Sequence, residues 1–413
     1  MKRNVLIIGA GGVAQVAAHK CAQNNDVLGD IHIASRKIAK CDAIIASIRE
    51  KGSLKVRDGL LQSHLIDAMD TAAVAELIRQ TGTQIVINLG SAFVNMYVLE
   101  ACLQTGAAYM DTAIHEDPLK ICEAPPWYAN YEWKRRERCA EAGVTAVLGI
   151  GFDPGVVNAY ARLAEDKFLD TIESVDIIDI NAGSHDRWFA TNFDPEVNFR
   201  EFTGTVLTWQ KGQWQENKMF EVGQTWDLPV VGEQKAYLTG HDELHSLSQR
   251  YPQADLRFWM GFGDHYINVF NVLNNLGLLS EQPVKTHEGL EVVPLKLVKA
   301  VLPDPASLAP SYKGKTCIGD LVKGQKNGQP AEVLVYNVAD HEQAYAEVGS
   351  QGISYTAGVP PVAAAMLIAN GTWDTGTMNN VEDLDPAPLL TLMDTIGLTT
   401  RVRDAKGDRP WNA

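Results

Sequence analysis

The first two dozen residues constrain the fold more strongly than any other stretch of the chain. An aliphatic run, Val5-Leu6-Ile7-Ile8, leads into a turn with the spacing G-x-G-x-x-A, and a helix-favouring segment follows at residues 15–23. The first glycine permits a sharp turn, the second lets the backbone approach a pyrophosphate, and the alanine lets the helix pack closely on the strand. The N–H groups of the first helical turn, at the positive end of the helix dipole, favour a phosphate there.

This segment therefore predicts a Rossmann-type βα unit that binds a dinucleotide. A glycine-rich turn without a ligand is the alternative. The turn residues that we assign to cofactor binding are Gly9, Gly11, Gly12, Val13 and Ala14.

The end of the second predicted strand indicates which dinucleotide is preferred. The strand, residues 30–34, ends in Ser35-Arg36-Lys37, and its acid, Asp30, lies at the opposite end. An NAD site usually has an acid at the strand end to bind the ribose 2′-hydroxyl, whereas a hydroxyl and two cations suit a 2′-phosphate. We therefore expect NADP, bound in part by Ser35, Arg36 and Lys37. The alternative is that the two cations only form a solvated start of a helix.

Further candidates follow the ends of other predicted strands, at residues 61–66, 84–90 and 108–112. In open α/β sheets ligands bind at the carboxyl ends of the strands. The residues that we assign to the cofactor on this ground are Asp67, Ala68, Asn88, Gly90, Ser91, Asp111 and Thr112. Asp67 could equally be a cap residue for the helix that follows.

Residues that begin and end helices predict several element boundaries. Asp70 is expected to cap a helix at residues 71–81, which Gly82 ends. Pro360 and Pro361 are expected to lead into a helix at residues 362–370, because proline is favoured in a first helical turn. The further helices expected are at residues 95–105, 128–142, 156–166 and 387–396.

These elements predict an α/β fold in three segments. Strands and helices alternate through residues 1–152, which indicates a doubly wound parallel sheet, here an NADP-binding Rossmann domain. Residues 153–350 carry short alternating runs, at 174–178, 205–209 and 331–336, and five tryptophans, which indicate an inserted α/β domain with a mixed sheet for substrate binding and dimerisation. Residues 351–413 return to helix and are expected to pack back on the Rossmann domain.

Composition narrows the class of protein. The chain has 413 residues and a formal net charge of −15, which argues against a nucleic-acid surface. No apolar run approaches the ~20 residues that span a bilayer, and no signal peptide is recognised before the first strand. The six cysteines, Cys21, Cys41, Cys102, Cys122, Cys139 and Cys317, are scattered and lack C-x-x-C spacing. We read them as free thiols and expect a cytoplasmic protein without membrane or nucleic-acid partners.

The same segments resemble the saccharopine dehydrogenase family, on its glutamate-forming, NADP-using side. The match runs in order over nearly the whole chain. The segments that carry it are residues 9–14, 34–36, 86–89, 109–112, 151–155 and 381–398. Within the family, residues 238–247 and the chain length favour the branch that acts in polyamine biosynthesis.

The resemblance implies a reductive condensation of aspartate β-semialdehyde with a short diamine, 1,3-diaminopropane or putrescine, with NADPH as the hydride donor. It also implies a split Rossmann domain with an inserted substrate domain, and a homodimer. The middle of the chain departs from the saccharopine-forming relatives, which leaves the substrate more open than the reaction. The alternatives are an enzyme that forms another secondary amine and an NADP sensor that has lost catalysis.

Such a reaction needs proton transfer, and three residues follow predicted strand ends where a substrate would lie. His115 and Asp117 come just after the strand at 108–112, and Asp153 lies in the turn Gly151-Phe152-Asp153-Pro154-Gly155. We rank these three equally as proton-transfer candidates. His115 could instead be an ordinary loop histidine, and Asp153 could merely cap the next helix.

The substrates carry a carboxylate and a distal ammonium, which need opposite charges. Arg187 and Arg200 are candidates for the carboxylate. Asp242 and Glu243 are the main candidates for the ammonium, with Asp264 and the ring of Trp188 as further possibilities. Each acid alone could be a solvated surface residue. His241 and His245 lie near these acids, but the H-D-E-L-H order differs from H-E-x-x-H and no third ligand is evident, so we expect no metal.

Overall fold

The computed structural model describes residues 2–117, 124–203 and 205–413. Its first sheet is entirely parallel, with the strand order β17-β6-β5-β4-β1-β2-β3. These strands are β1 (Arg3–Ile8), β2 (Leu28–Ser35), β3 (Leu61–Leu65), β4 (Thr83–Asn88), β5 (Ala108–Met110), β6 (Ala146–Leu148) and β17 (Met378–Asn380). The order reverses between β1 and β4, which is the switch point where such sheets bind ligands.

Helices cover both faces of this sheet. The first five are α1 (Gly12–Gln23), α2 (Ile38–Glu50), α3 (Thr71–Thr81), α4 (Asn95–Thr105) and α5 (Arg136–Ala142). Asp70 caps α3 by accepting a hydrogen bond from the Ala73 N–H, and Gly82 ends it in the left-handed conformation, as predicted. Gly106 ends α4 in the same way.

The second sheet is mixed, because only the β7–β12 pair is parallel. Its order is β10-β11-β12-β7-β15-β16-β18-β19, and the β8–β9 hairpin attaches to β12. The strands are β7 (Thr171–Asn181), β8 (Val206–Gln210), β9 (Gln213–Asn217), β10 (Gly223–Leu228), β11 (Gly232–Thr239), β12 (Asp255–Gly261), β15 (Lys315–Lys326), β16 (Gln329–Asp340), β18 (Thr400–Asp404) and β19 (Gly407–Pro410). The predicted combination of a parallel Rossmann-type sheet and a mixed sheet is confirmed.

The remaining elements surround the second sheet or connect the two sheets. The helices are α6 (Val156–Leu163), α7 (Pro195–Thr203), α8 (Leu244–Arg250), α9 (Asp264–Asn275), α10 (Pro294–Val301), α11 (His341–Val348), α12 (Gly352–Ala369) and α13 (Pro386–Ile396). A small hairpin pairs β13 (Val284–Lys285) with β14 (Glu291–Val292). After α13 the chain ends as β18 and β19 on the second sheet, whereas β17 lies beside β6 on the first.

Two helix predictions are wrong in their boundaries. The segment 128–142 is two 3-10 turns (Trp127–Ala129 and Trp133–Arg135) followed by the short α5. Long-range hydrogen bonds hold its first part, because the Trp127 N–H donates to His245 and the Trp133 indole donates to Asn380. Such tertiary contacts override helix propensity.

The helix around Pro360 and Pro361 is longer than predicted, because α12 runs through both prolines instead of beginning at them. Each interior proline removes a backbone hydrogen bond. Packing offsets this loss, since a Cβ placed on Gly358 would lie 2.7 Å from the Val16 side chain of α1. By length and composition α12 could span a bilayer, but 83% of it is buried within the protein, as in a core helix.

Candidate active site

The turn between β1 and α1 has the shape of a phosphate site. Gly9 has φ of +118°, and a Cβ placed there would lie 2.4 Å from the Leu89 carbonyl oxygen, so the position requires glycine. Gly11 is exposed at the helix N-cap, and a Cβ placed on it would meet no atom within 4 Å. The open space in front of this backbone is where a pyrophosphate fits.

The other turn residues serve packing. A Cβ on Gly12 would lie 2.6 Å from the Ser354 hydroxyl of α12, and Ala14 is buried. Val13 is half-buried beside them. Gly12 and Ala14 therefore keep α1 close to its neighbours.

The proposed 2′-phosphate residues lie at the start of α2. Arg36 and Lys37 are exposed there, and the Ser35 hydroxyl oxygen accepts a hydrogen bond from the Lys37 N–H at 3.1 Å. One turn further along, Lys40 pairs with Asp304 at 3.0 Å. The cations are thus placed next to the end of β2, where the ribose of a bound dinucleotide would lie.

The residues assigned at the neighbouring strand ends divide into exposed and internally bonded ones. Gly90 and Ser91 are exposed, and Ala68 is buried. Asp67 is exposed and accepts a hydrogen bond from the Met69 N–H at 3.1 Å, which forms a local turn before Asp70, the residue that caps α3. Asn88 is buried and donates to the Asn95 side chain at 2.8 Å, so it holds the loop after β4.

Asp111 is buried and bonded within the protein. Its carboxyl accepts hydrogen bonds from the Tyr109 hydroxyl and the Gly149 N–H, each at 2.7 Å, and so joins the ends of β5 and β6. Burial raises the pKa of Asp111 to about 7. Thr112 is half-buried, with its Cβ 3.4 Å from where a Gly151 Cβ would be.

Acids from distant parts of the chain hold the loop that carries His115. Asp242 accepts a hydrogen bond from the Ile114 N–H at 2.7 Å, and Glu132 accepts one from the His115 N–H at 2.6 Å. The His115 Nδ1 lies 2.9 Å from the Ala92 carbonyl oxygen. Since a carbonyl only accepts, Nδ1 carries the proton and Nε2 is the accepting nitrogen of the neutral ring.

Sequence reasoning missed Glu132, which is fully buried and has its pKa raised well above the usual range by burial. Asp117, the third member of the predicted group, is half-buried and is the last described residue before the gap at 118–123.

Asp153 lies in the turn before α6. The Asn158 side chain caps this helix by accepting a hydrogen bond from the Gly155 N–H at 2.8 Å. The Asp153 carboxyl is hydrogen-bonded to Asp179 on β7, in the second sheet. Sequence reasoning missed Asp179, although an acid between Ile178 and Ile180 in an apolar strand was an available signal.

The segment after β11 turns its acids inward, so they are not surface residues. Glu243 is fully buried, with Oε2 2.5 Å from the His241 Nδ1, and the His241 ring stacks on Phe258. Asp242 is half-buried, and burial raises its pKa to about 6. Asp264, by contrast, is exposed.

The two histidines of this segment have separate partners. His245 is buried and its Nδ1 accepts a hydrogen bond from the Trp127 N–H at 3.0 Å. In the described ranges no group of three or more His, Cys, Asp or Glu side chains is arranged to hold a metal ion.

The two arginine candidates differ in their surroundings. Arg187 is exposed, and Trp188 beside it is 77% exposed. Arg200 is mostly buried and pairs with carboxylates from several elements, Glu116, Glu196 and Glu281, while its guanidinium lies over the Phe93 ring. A substrate carboxylate would have to replace one of these partners to bind Arg200.

The structure thus holds Asp242 against the loop of His115, through the Ile114 N–H, and places Asp153 after β6 at the same carboxyl edge of the first sheet. A loop histidine with a fixed tautomer and several acids of raised pKa can transfer protons near neutral pH. The carboxyl edge also contains the glycine turn, so a bound dinucleotide and the acid groups would lie at the same edge of the sheet.

Two family models together match nearly the whole chain. The family model of the saccharopine dehydrogenase NADP binding domain matches residues 5–147, and that of the saccharopine dehydrogenase C-terminal domain matches residues 151–398.

Individual proteins are also similar to this chain over nearly its whole length. The chain is 45% identical over 406 residues to a carboxynorspermidine synthase from Vibrio alginolyticus, with 98% of each chain covered. It is 40% identical over 395 residues to a carboxyaminopropylagmatine dehydrogenase from Synechocystis, with 95% of this chain and 96% of that one covered. Apo saccharopine dehydrogenase (L-Glu forming) from Saccharomyces cerevisiae is 12% identical, with a TM-score of 0.69 over 97% of this chain and 99% of that one, which is a likeness of fold.

Proposed function

This chain belongs to the saccharopine dehydrogenase family, and from that premise we propose that it joins L-aspartate β-semialdehyde to a short diamine by NADPH-dependent reductive condensation. The diamine is 1,3-diaminopropane or putrescine, and the product is carboxynorspermidine or carboxyspermidine, in polyamine biosynthesis. The observation that carries this proposal is the full-length similarity to carboxynorspermidine synthase.

The cofactor is NADP(H). The chain carries the NADP-binding domain of the family, and its oxidoreductase character is shared with its relatives. The open space before Gly11 fits a pyrophosphate, and Arg36 and Lys37 would hold the 2′-phosphate. When bound, NADPH supplies the hydride that reduces the C=N bond between the substrates.

Residues at this carboxyl edge would accept and donate the protons that the reaction moves. The amine must lose a proton before it attacks the aldehyde, and the carbinolamine must lose water before reduction. We assign the first proton to Nε2 of His115, because Nδ1 is directed at Ala92 O. Asp117 and Asp153 remain candidates for the acid that helps water leave. Arg200 and, less directly, Arg187 are candidates for the semialdehyde carboxylate.

A second amine has specific support. The Synechocystis relative is a carboxyaminopropylagmatine dehydrogenase, so its name indicates an agmatine-derived substrate. Agmatine carries a primary amine and a distal guanidinium, which acidic side chains can bind as they bind the ammonium of a diamine. Agmatine is therefore the first alternative to the two diamines.

The location and assembly follow from the same premise as proposals. The five cysteines within the described ranges are free and buried, as in proteins of a reducing compartment, and we place the enzyme in the cytoplasm. Cys122 lies outside the described residues. We propose a homodimer without membrane or nucleic-acid partners; the net charge of −15 supports the last point.

The test is NADPH oxidation, followed by absorbance, with aspartate β-semialdehyde and a panel of amines. We expect oxidation with 1,3-diaminopropane or putrescine that exceeds oxidation with lysine or glutamate by at least tenfold. Oxidation only with lysine or glutamate would overturn the diamine assignment. Tight NADPH binding without oxidation in any pair would favour the sensor alternative.

A further inference from the structure

Four carboxyl groups meet where the second sheet contacts the carboxyl edge of the first. Asp153 follows β6, Asp179 lies on β7, Asp320 lies on β15, and Glu243 follows β11. Asp153 is hydrogen-bonded to Asp179, and the negative charges of Asp153 and Glu243 act on Asp320. We call these four residues the junction acids.

Two of the junction acids are partly exposed and the other two are fully buried. Asp153 and Asp179 are half-buried, so part of each residue remains accessible to solvent. Glu243 and Asp320 are fully buried. Both carboxyl oxygens of Asp320 and the Oε1 of Glu243 lack a hydrogen-bond partner in the part of the chain that the structure describes.

Few positive charges balance this group. Among the described residues, the charged groups that act on Asp179 and Asp320 are His241 and the other junction acids, with no lysine or arginine. Burial raises the pKa of Asp179 to about 6. Unpaired buried carboxyls are costly unless they are neutral or find a cation.

We propose that Asp153 and Asp179 bind the distal ammonium of the amine substrate, with Glu243 and Asp320 adding negative potential from behind. This inference rests on the proposed function. An aliphatic ammonium stays protonated at neutral pH and has three N–H donors, which can be shared between two carboxylates that approach from different elements. The ammonium would replace the proton that now joins Asp153 to Asp179.

The location of the subsite suits the reaction. Asp153 comes from the turn after β6, on the sheet edge that also holds the loop of His115 and the glycine turn. A diamine anchored by one end at the junction acids directs its other amine along this edge, towards the residues that would deprotonate it. His115 is then left as the main proton-transfer residue.

Matched pairs of amines test the subsite directly. In the wild type, we expect kcat/KM for 1,3-diaminopropane to exceed that for propylamine at least a hundredfold, and likewise for putrescine over butylamine. In Asp179→Asn we expect kcat/KM for the diamines to fall at least tenfold, mainly through KM, and that for the monoamines to change less than threefold. Asp227→Asn, an exposed acid on β10, removes the same charge and is expected to keep the wild-type ratio.

The outcomes separate the subsite from the reaction. An unchanged diamine-to-monoamine ratio in Asp179→Asn, or an equal loss with both amines, would overturn the subsite alone. No NADPH oxidation by the wild type with any amine would overturn the proposed function and this inference with it. Unfolding temperature and NADPH affinity verify that the variant is folded; if it is not, Asp179→Ser carries the same expectation for the ratio.

Discussion

Single carboxyl groups from separate parts of the sequence hold the loop that carries His115. Asp242 and Glu132, far apart in sequence, each accept a hydrogen bond from a backbone N–H in the loop of His115. A buried acid with such a partner fixes the loop more firmly than a solvated one, because its hydrogen bond does not compete with water. The histidine is therefore held by residues other than its own neighbours.

The cofactor preference belongs to this scale. We expect Arg36→Ala to raise KM for NADPH about tenfold or more, because hydrogen bonds to a charged phosphate are among the stronger ones. KM for NADH, which lacks that phosphate, is expected to change less than twofold. Steady-state kinetics with both cofactors measures this.

Arg49→Ala supplies the matched control, since Arg49 is an exposed arginine in the last turn of the same helix. Its KM values are expected to match those of the wild type. Equal effects of Arg36→Ala on NADPH and NADH would contradict the 2′-phosphate assignment.

In the turn between β1 and α1, Gly9 and Gly11 have different roles. Gly9 is required by the backbone, whereas Gly11 faces open space. One residue thus serves the fold and the other leaves room for a ligand, so their substitution should have opposite consequences.

We expect Gly11→Val to leave the unfolding temperature within about 2 °C of the wild type, a change of less than about 2 kcal/mol for a chain of this length, and to weaken NADPH binding at least tenfold. Gly9→Ala is expected to lower the unfolding temperature clearly, because its Cβ would clash with the Leu89 carbonyl. Thermal unfolding and cofactor titration distinguish the two. If the Gly11→Val variant is folded and binds NADPH with normal affinity, the placement of the pyrophosphate at this turn is wrong.

Elements were predictable from sequence where local signals set their limits. The cap at Asp70 and the glycine at 82 gave both ends of α3, and the glycine turn gave β1 and α1. The segment 128–142 and the prolines of α12 were misjudged, because contacts with His245, Asn380 and α1 decide their structure. Asp179, Asp320 and Glu132 were not predicted as site residues, because strand pairing and packing over long sequence distances bring them to the site.

For the molecule as a whole, buried acids at the contact between the sheets make stability depend on pH. Glu382, which follows β17, accepts a hydrogen bond from Asn158 of α6 at 3.0 Å, and its other oxygen has no partner among the described residues. Burial raises the pKa of Glu382 from 4.5 to about 7. The native state therefore binds this proton more tightly than the unfolded state, and the free energy of unfolding falls as pH rises from 4.5 towards 7.

Glu382→Gln removes this titration. Relative to the wild type, we expect the variant to gain stability between pH 4.5 and pH 8 by up to about 3 kcal/mol, the free-energy equivalent of the pKa rise. Urea unfolding followed by circular dichroism across this range measures the difference. Glu216→Gln, an exposed position on β9, is the control and should follow the wild type. Parallel pH curves for Glu382→Gln and the wild type would contradict the assignment.

The position of β17 has a consequence for how the protein is made. This strand covers β6 at the edge of the parallel sheet, but residues 149–377 must be translated between the two. During translation, β6 therefore remains an unpaired edge strand until β17 has been made. An exposed strand of this kind can aggregate or bind a chaperone. The glycine turn can form early, yet the sheet that supports it is complete only when almost the whole polypeptide has left the exit tunnel.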